Sequence, residues 1–530
     1  MVILADDLGW GDLSTGRTNG GHPDALNQTP AIDALAQDGV VFDNAYAALT
    51  CAPSRAALLT GMSAPRPDNR IFSVTSLDRV GRNRPLLEGA PQGRPDGSAI
   101  IPRRATTVAE ALQDVGYGTG FAGKFQITRG ASNIVDDHGF DENFGGGNTG
   151  AADSYLAEDG EFDRKVWPTL DEFAGDYTED YVETQVAPYS TGVPREDLDA
   201  LVGTDKHITD AITDAGLDFI DRHADEPFLF WMSHVAVHDP IDGKQPRPDL
   251  RRKYRGLADG AASGRDAAYA GLVEGLDQSV ARTVDHLRRT EDPRDPGRTL
   301  AENTIVVVTS DNGGRTDLGA SNGPLRGQKG LLLEGGIRVP WVAWSDNPDL
   351  VDGGVVNPSV VDATDLYATL ADYAGAEPRP RAPLDGRSLR GALTADERFD
   401  RTFVAHFPGY LLGTTRDQRP QTVLRDGRWK LTYSYETRRY RLHDLVRDPA
   451  ERRDLAGRRP GRTAAMAATM LGWLEETRAP LATVREGRGP VRFTVRGRTY
   501  ADGEVTTHRR PERLVVRPGE EMPFVLPARS

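Results

Sequence analysis

Five short runs rich in β-branched or aromatic residues, Val2–Leu4, Thr119–Ala122, Pro227–Met232, Thr304–Thr309 and Val339–Trp344, each give way to polar residues. Between them, stretches such as Thr107–Val115 and Asp210–Arg222 repeat apolar residues at spacings of three and four, the period of a helix lying on a sheet. Apolar strands alternating with amphipathic helices predict a doubly wound, mostly parallel α/β sheet flanked by helices. The texture changes after residue 376. The Pro- and Arg-rich stretch Glu377–Pro383 predicts a boundary between a unit spanning 1–376 and a smaller α+β unit spanning 377–530. Within the second unit, Thr422–Leu424 and Trp429–Tyr433 around Asp426-Gly427 predict a hairpin, and Thr463–Thr477 a helix. The last stretch reads as short strands and a tail.

Ligands of such sheets gather beyond the carboxyl ends of the strands, so the residues after each run carry the chemistry. Asp6 and Asp7 follow the first run, Lys124 the second, His234 and His238 the third, and Asp311 and Asn312 the fourth. Brought together, three carboxylates and an amide oxygen form an all-oxygen cluster whose repulsion a hard divalent cation relieves, Ca²⁺ as first choice and Mg²⁺ as second. A further motif is Cys51-Ala52-Pro53-Ser54-Arg55, which runs on to Thr60-Gly61. Pro53 suits a helix start and Gly61 a helix end, which puts Cys51 at the positive end of a short helix, where anions bind. Arg55 follows by one helical turn, placed to hold an oxyanion or to orient a nucleophile.

Composition narrows the setting. With 79 acidic and 64 basic residues the net charge is −15, which argues against a nucleic-acid backbone or an anionic lipid surface as main partner. An anionic substrate then needs a local basic pocket. Hydrophobic residues make up 38 % and charged ones 27 %, the balance of a soluble globular chain. No apolar run approaches the ~20 residues of a membrane helix. The single cysteine, Cys51, excludes an intramolecular disulfide and any thiolate-rich metal site. The chain opens on Met1-Val2-Ile3-Leu4 with no signal peptide. So short a first strand leaves localisation open, with export expected if a segment upstream is missing.

The segment Cys51–Gly61 resembles the maturation signature of the type I sulfatases, and the family's other landmarks follow in order. They are Asp6-Asp7-Leu8-Gly9 with Gly11-Asp12, Gly116-Tyr117 leading to Gly123-Lys124, Gly139-Phe140-Asp141, Asp311-Asn312-Gly313, Arg326-Gly327 with Lys329-Gly330, and Glu334 to Pro340. The resemblance implies an alkaline phosphatase-like fold and hydrolysis of a sulfate ester. It implies that a formylglycine-generating enzyme oxidises Cys51 to formylglycine. It also implies a cation held by Asp6, Asp7, Asp311 and Asn312, with an oxygen of the modified Cys51 completing the shell. Lys124 and Lys329 would contact sulfate, and His238, rather than His234, would meet the ester oxygen. One hydroxyl of the hydrated aldehyde would attack sulfur and the other would expel sulfate. The substrate it implies is a sulfated small molecule or saccharide, the saccharide preferred, with the loops 63–102 and 146–204 expected to choose it. Trp167, Tyr177 and Tyr181 of the second loop either stack on sugar rings or anchor the loop.

The chain departs from the family pattern at Gln126, where a histidine is common. An amide cannot titrate near neutral pH, so His138 or His234 would have to substitute for it. Three alternatives stand beside the sulfatase reading. The same nucleophile and metal serve phosphodiester and phosphonate monoester hydrolysis, Gln126 suits a non-catalytic binder of sulfated glycans, and an unmodified Cys51 thiolate, activated by the helix end and Arg55, could act directly.

Overall fold

The computed structural model describes residues 1–67, 69–72, 85–90, 99–102, 105–257, 264–377, 384–413 and 417–527. The boundary expected at 377–383 therefore lies, from 378 on, outside the described residues, as do large parts of the loop 63–102.

An eight-stranded sheet organises the first part of the chain. Its order is Val355–Asn357, Val40–Phe42, Trp341–Trp344, Val306–Ser310, Val2–Ala5, Phe228–Ser233, Gly118–Gly123 and Glu142–Phe144. Trp341–Trp344 runs antiparallel to both its neighbours, and every other pairing is parallel. The sheet is thus mostly parallel, as the run pattern predicts. Three strands escaped that pattern: Val40–Phe42, Glu142–Phe144 and Val355–Asn357 have three residues each, too few to show a period. The run Val339–Trp344 is divided at Pro340. Arg338–Val339 pairs with Ala45–Tyr46 in a separate small sheet, while Trp341–Trp344 joins the large one.

Alternation along the central strand feeds two cores. Ile3 and Ala5 pack with Ile212, Met232, Val308 and the helix Gly264–Arg289 through Val273, Leu276 and Val280. Val2 and Leu4 face the other way, onto Leu58 of the helix Cys51–Thr60, Val108 of Val108–Gln113 and Leu366 of Asp365–Ala374. Strands buried on both faces are what a sheet sandwiched between helices requires.

The remainder of the described chain builds a four-stranded antiparallel sheet from Thr402–Phe407, Gln421–Asp426, Trp429–Ser434 and Arg439–Asp444. The helix Pro460–Glu476 covers it with Met466, Met470 and Leu474. The last segment is a correction to the sequence reading. Val491–Ala501 and Glu504–Val516 form a long antiparallel ribbon, not short strands and a tail. Its turn residues Asp502 and Gly503 both have positive φ, 53° and 78°, the conformation that a two-residue hairpin loop of matching twist demands.

Candidate active site

Strand register decides which residues meet. Ala5 pairs with Ser310, Leu4 with Ser233, and Ser233 in turn with Gly123, so the carboxyl ends of four strands are level. The next residues along each strand, Asp6 and Asp7, Asp311 and Asn312, and Lys124, therefore emerge on one rim. The helix Cys51–Thr60 begins against it and is buried along its whole length. Gly61 ends that helix with φ of 64°, the left-handed conformation that favours glycine at a helix C-terminus.

Cys51 Sγ lies 3.6 Å from Asp6 Oδ1. Burial and the Asp311 carboxylate push the thiol up to about 12, so an unmodified Cys51 is a neutral thiol at pH 7. The activated thiolate expected as one alternative is not favoured by this geometry: helix end and basic groups are outweighed by desolvation and carboxylates.

Lys124 Nζ donates to Asp6 Oδ2. Lys329 Nζ is 2.7 Å from Asp7 Oδ1, and Asn312 Nδ2 donates to the same oxygen at 2.7 Å. Burial raises the Asp7 carboxyl, but Lys329, His238 and Lys124 together hold it well below the usual carboxylate range. Asp7 has φ of 64°, uncommon for a non-glycine residue. Its backbone N–H donates to Asp311 Oδ1 at 3.2 Å, which helps fix that conformation. Arg55 is turned onto the carboxylates: Nε donates to Asp311 Oδ2 at 2.9 Å, and Nη1 donates to Ser233 Oγ at 2.6 Å and to the Lys124 carbonyl. These contacts orient the Asp311 carboxylate and the Lys124 backbone, while Nη2, 2.9 Å from Asp311 Oδ2 and 3.5 Å from Asp6 Oδ2, is buried with no hydrogen-bond partner in the structure.

His238 Nε2 lies 3.9 Å from Asp7 Oδ2, and Nδ1 donates to the Asp239 carbonyl at 2.8 Å. Burial, with Lys329 and Lys124 nearby, lowers its pKa to about 4. The ring is uncharged at neutral pH, with the Nε2 lone pair facing the cluster. Tyr155, from the long loop, donates its hydroxyl to the His238 and Val235 carbonyls at 2.7 and 3.0 Å, a support that sequence patterning did not reveal.

The donor set fits a cation. One ligand atom from each of Asp6, Asp7, Cys51 and His238 lies within 4.8 Å of the others. Asn312 Oδ1 is buried with no hydrogen-bond partner in the structure, the state of an oxygen that lacks its electrophile. His238 enters this ligand group although sequence reasoning placed it at the leaving group only.

Other candidates fall elsewhere. His234 Nε2 pairs with Ser279 Oγ at 3.0 Å in the core, and burial lowers the ring to about 3. His138 stacks on Phe125, with centroids 5.4 Å apart. Neither replaces the imidazole that Gln126 lacks. Gln126 itself has φ of 71°, donates its backbone N–H to Gly147 at 2.9 Å, and carries a buried Oε1 with no hydrogen-bond partner in the structure. Tyr177 and Tyr181 donate to Asp210 and Asp214, so both anchor the loop, whereas Trp167 is 48 % exposed.

The Lys329 loop has supports that lay beyond sequence reasoning. Its backbone is held by Gly314 through Lys329 N–H at 3.2 Å and by Leu49 through Gly330 N–H at 2.6 Å. Further along, Leu332 N–H donates to Gln418 Oε1 at 2.8 Å and Glu334 N–H to Glu451 Oε2 at 2.7 Å. Lys430 Nζ bridges Glu334 at 3.0 Å and Glu451 at 3.1 Å, all three side chains buried. Gln418, Lys430 and Glu451 come from the C-terminal sheet and its flanks, which thereby hold the segment that carries Lys329.

Comparison with known proteins supplies this chain's relatives. The sequence model of the sulfatase family, described simply as "Sulfatase", matches residues 1–376. A sulfatase of Formosa agariphila is 33 % identical over 518 residues, covering 91 % of this chain and 89 % of that protein. Human N-acetylgalactosamine-6-sulfatase is 28 % identical over 447 residues, 82 % of this chain and 72 % of the relative. Among solved structures, Ps i-CgsB in complex with k-i-k-neocarrahexaose superposes with a TM-score of 0.64 at 25 % identity, over 89 % of this chain and 91 % of that one.

Proposed function

Since the chain belongs to the sulfatase family, and is thus a sulfuric ester hydrolase of alkaline phosphatase-like fold, we propose that its substrate is a sulfated carbohydrate and that residue 51 acts as formylglycine. The observation that carries the site assignment is the convergence of Cys51, three carboxylates, Asn312, Lys124 and Lys329 on one buried strand-end rim. The named relatives that act on or bind sulfated saccharides support the carbohydrate class.

A divalent cation, Ca²⁺ in first place, would be held by Asp6, Asp7, Asp311, Asn312 and an oxygen at position 51, and would neutralise charge and favour an ionised hydroxyl there. Lys124 and Lys329 pair with Asp6 and Asp7 in this structure, and once a cation took up those carboxylates their ammonium groups would turn to the equatorial sulfate oxygens as charge builds up. Arg55 keeps Asp311 and the Lys124 backbone in place. His238 presents Nε2 to the rim, and a proton delivered there from solvent when the anionic ester binds would be passed on by Nε2–H to the departing oxygen. Nothing at Gln126 titrates, so the carbonyl at residue 51 is regenerated without a base from that position, and water or a carboxylate of the rim accepts the proton.

The test is release of inorganic sulfate from a panel of sulfated saccharides, using protein co-expressed with a formylglycine-generating enzyme, with and without chelator. Mass spectrometry of the peptide containing residue 51 must show loss of the thiol in the active preparation. A fully active preparation that retains Cys51 as free thiol refutes the assignment. Paired assays with an aryl sulfate and an aryl phosphodiester separate the sulfatase reading from the phosphodiester alternative.

A further inference from the structure

Away from the strand-end rim, the C-terminal sheet and the segment before the helix Pro460–Glu476 form an open cleft of about 320 Å³ lined by Trp429, Arg447, Arg453, Arg458 and Arg459, together with Leu455, Asp444 and Asp448. The acids in it are already engaged. Asp444 is bound by both arms of Arg428 at 2.7 and 2.6 Å, and Asp448 accepts the backbone N–H groups of Arg452 and Arg453 at 3.1 and 2.7 Å. The arginines are not: among the described residues, Arg447, Arg453, Arg458 and Arg459 have no carboxylate within 4.0 Å, and all four are exposed. Trp429 forms an apolar floor on which Arg428 and Arg462 stack at 5.8 and 5.6 Å.

Four unpaired guanidinium groups in one concave site, on a chain of net charge −15, oppose the general character of the surface. Like charges this close repel, so the arrangement is relieved by a polyanion. Guanidinium forks match the geometry of sulfate and carboxylate oxygens.

We propose that this arginine cleft is a second binding site, which grips a sulfated polysaccharide at sugar units remote from the ester being hydrolysed. The assignment of polymer class rests on the sulfatase reading above. Anchoring a chain at two places raises the local concentration of ester at the rim and leaves the hydrolysis of a small ester untouched.

The experiment uses the full chain. Binding of ι-carrageenan is measured on Cys51→Ala protein, with and without alanine at 447, 453, 458 and 459, at about 0.1 M salt where exposed charges still act over ~10 Å. The substitutions are expected to weaken binding of the polymer at least tenfold, while desulfated polymer binds neither protein. With Cys51 present and matured, the same four substitutions raise KM for the polymer about as much and leave kcat/KM for an aryl sulfate within twofold. Thermal midpoints equal to the parent's exclude misfolding. Polymer affinity within twofold of the parent overturns the proposal, and so does duplex DNA competing as well as ι-carrageenan does. Because binding is read without turnover, a failure of both matured proteins to release sulfate counts against the sulfatase reading alone.

Discussion

Replacing Lys430 with methionine tests whether the C-terminal sheet sets the position of Lys329, the lysine proposed to contact sulfate. The side chain is 1 % exposed, and its ammonium is the cation shared by Glu334 and Glu451. In the intact protein burial raises the Glu334 carboxyl, but Lys430, Arg338, Arg425 and Tyr46 bring it down to about 2, whereas burial keeps Glu451 above its ordinary value. Methionine fills the volume and removes the charge. Breaking a buried pair in this way costs about 3–5 kcal/mol, because carboxylates remain without their counter-ion.

The sign with pH distinguishes this from lost packing. In the parent, a depressed Glu334 contributes stability above its unfolded value of 4.5 that is lost as pH falls towards about 2. In Lys430→Met both carboxyls move upward because the cation they share is gone, so the penalty is largest at pH 8 and is relieved as acid protonates them. The difference in thermal midpoint between variant and parent should therefore be large at pH 8 and shrink by pH 5. Glu334 N–H anchors the segment that carries Lys329, so kcat/KM for an aryl sulfate should fall by on the order of 10–100-fold from displaced geometry. Adding Glu451→Gln should restore part of both losses, since one fewer negative charge is then left buried. A deficit independent of pH, or below about 1 kcal/mol with unchanged kcat/KM, would refute the electrostatic latch.

Unmodified Cys51, with its thiol pushed up to about 12, should resist iodoacetamide at pH 7.5 under native conditions and react once the chain is denatured; rapid native alkylation followed by peptide mass mapping would contradict this. Calcium added to metal-free protein should raise the thermal midpoint, by about 2.7 kcal/mol of linkage at one hundred times its Kd. Asn312→Ala removes the partnerless oxygen and should reduce that calcium response, and an unchanged calcium titration would exclude Asn312 as a ligand. Lys329→Met should lower kcat/KM for sulfate esters on the order of 10²–10³-fold, the usual loss for one donor to a developing oxyanion, and a loss under threefold would remove Lys329 from the reacting centre.

Much of the site was legible because a parallel sheet converts sequence position into place. A residue that follows an apolar run must lie at the carboxyl edge, and level register then brings Asp6, Lys124 and Asp311 together although 118 and 187 residues separate them. Arg55 shows the limit of such reading. Helical spacing correctly puts it one turn from Cys51, yet its partners Asp311 and Ser233 are tertiary neighbours, and only their positions show that it braces carboxylates. His238 shows the same limit, since its distance to Asp7 depends on a loop held by Tyr155, which no local period announces.

Lys430 is the hardest case. In sequence it is one charged residue within an alternating strand, where the ordinary expectation is a solvated side chain. Its burial follows from two acids, Glu334 and Glu451, that arrive from 96 residues before and 21 after it. Charge inside a protein is tolerated only where partners converge, so a buried lysine with two glutamates ties the C-terminal sheet to the segment that carries Lys329. The catalytic rim is accordingly not completed by the strand ends alone: the helix Cys51–Thr60 closes it on one side, and the C-terminal sheet, through Glu334, fixes it on another.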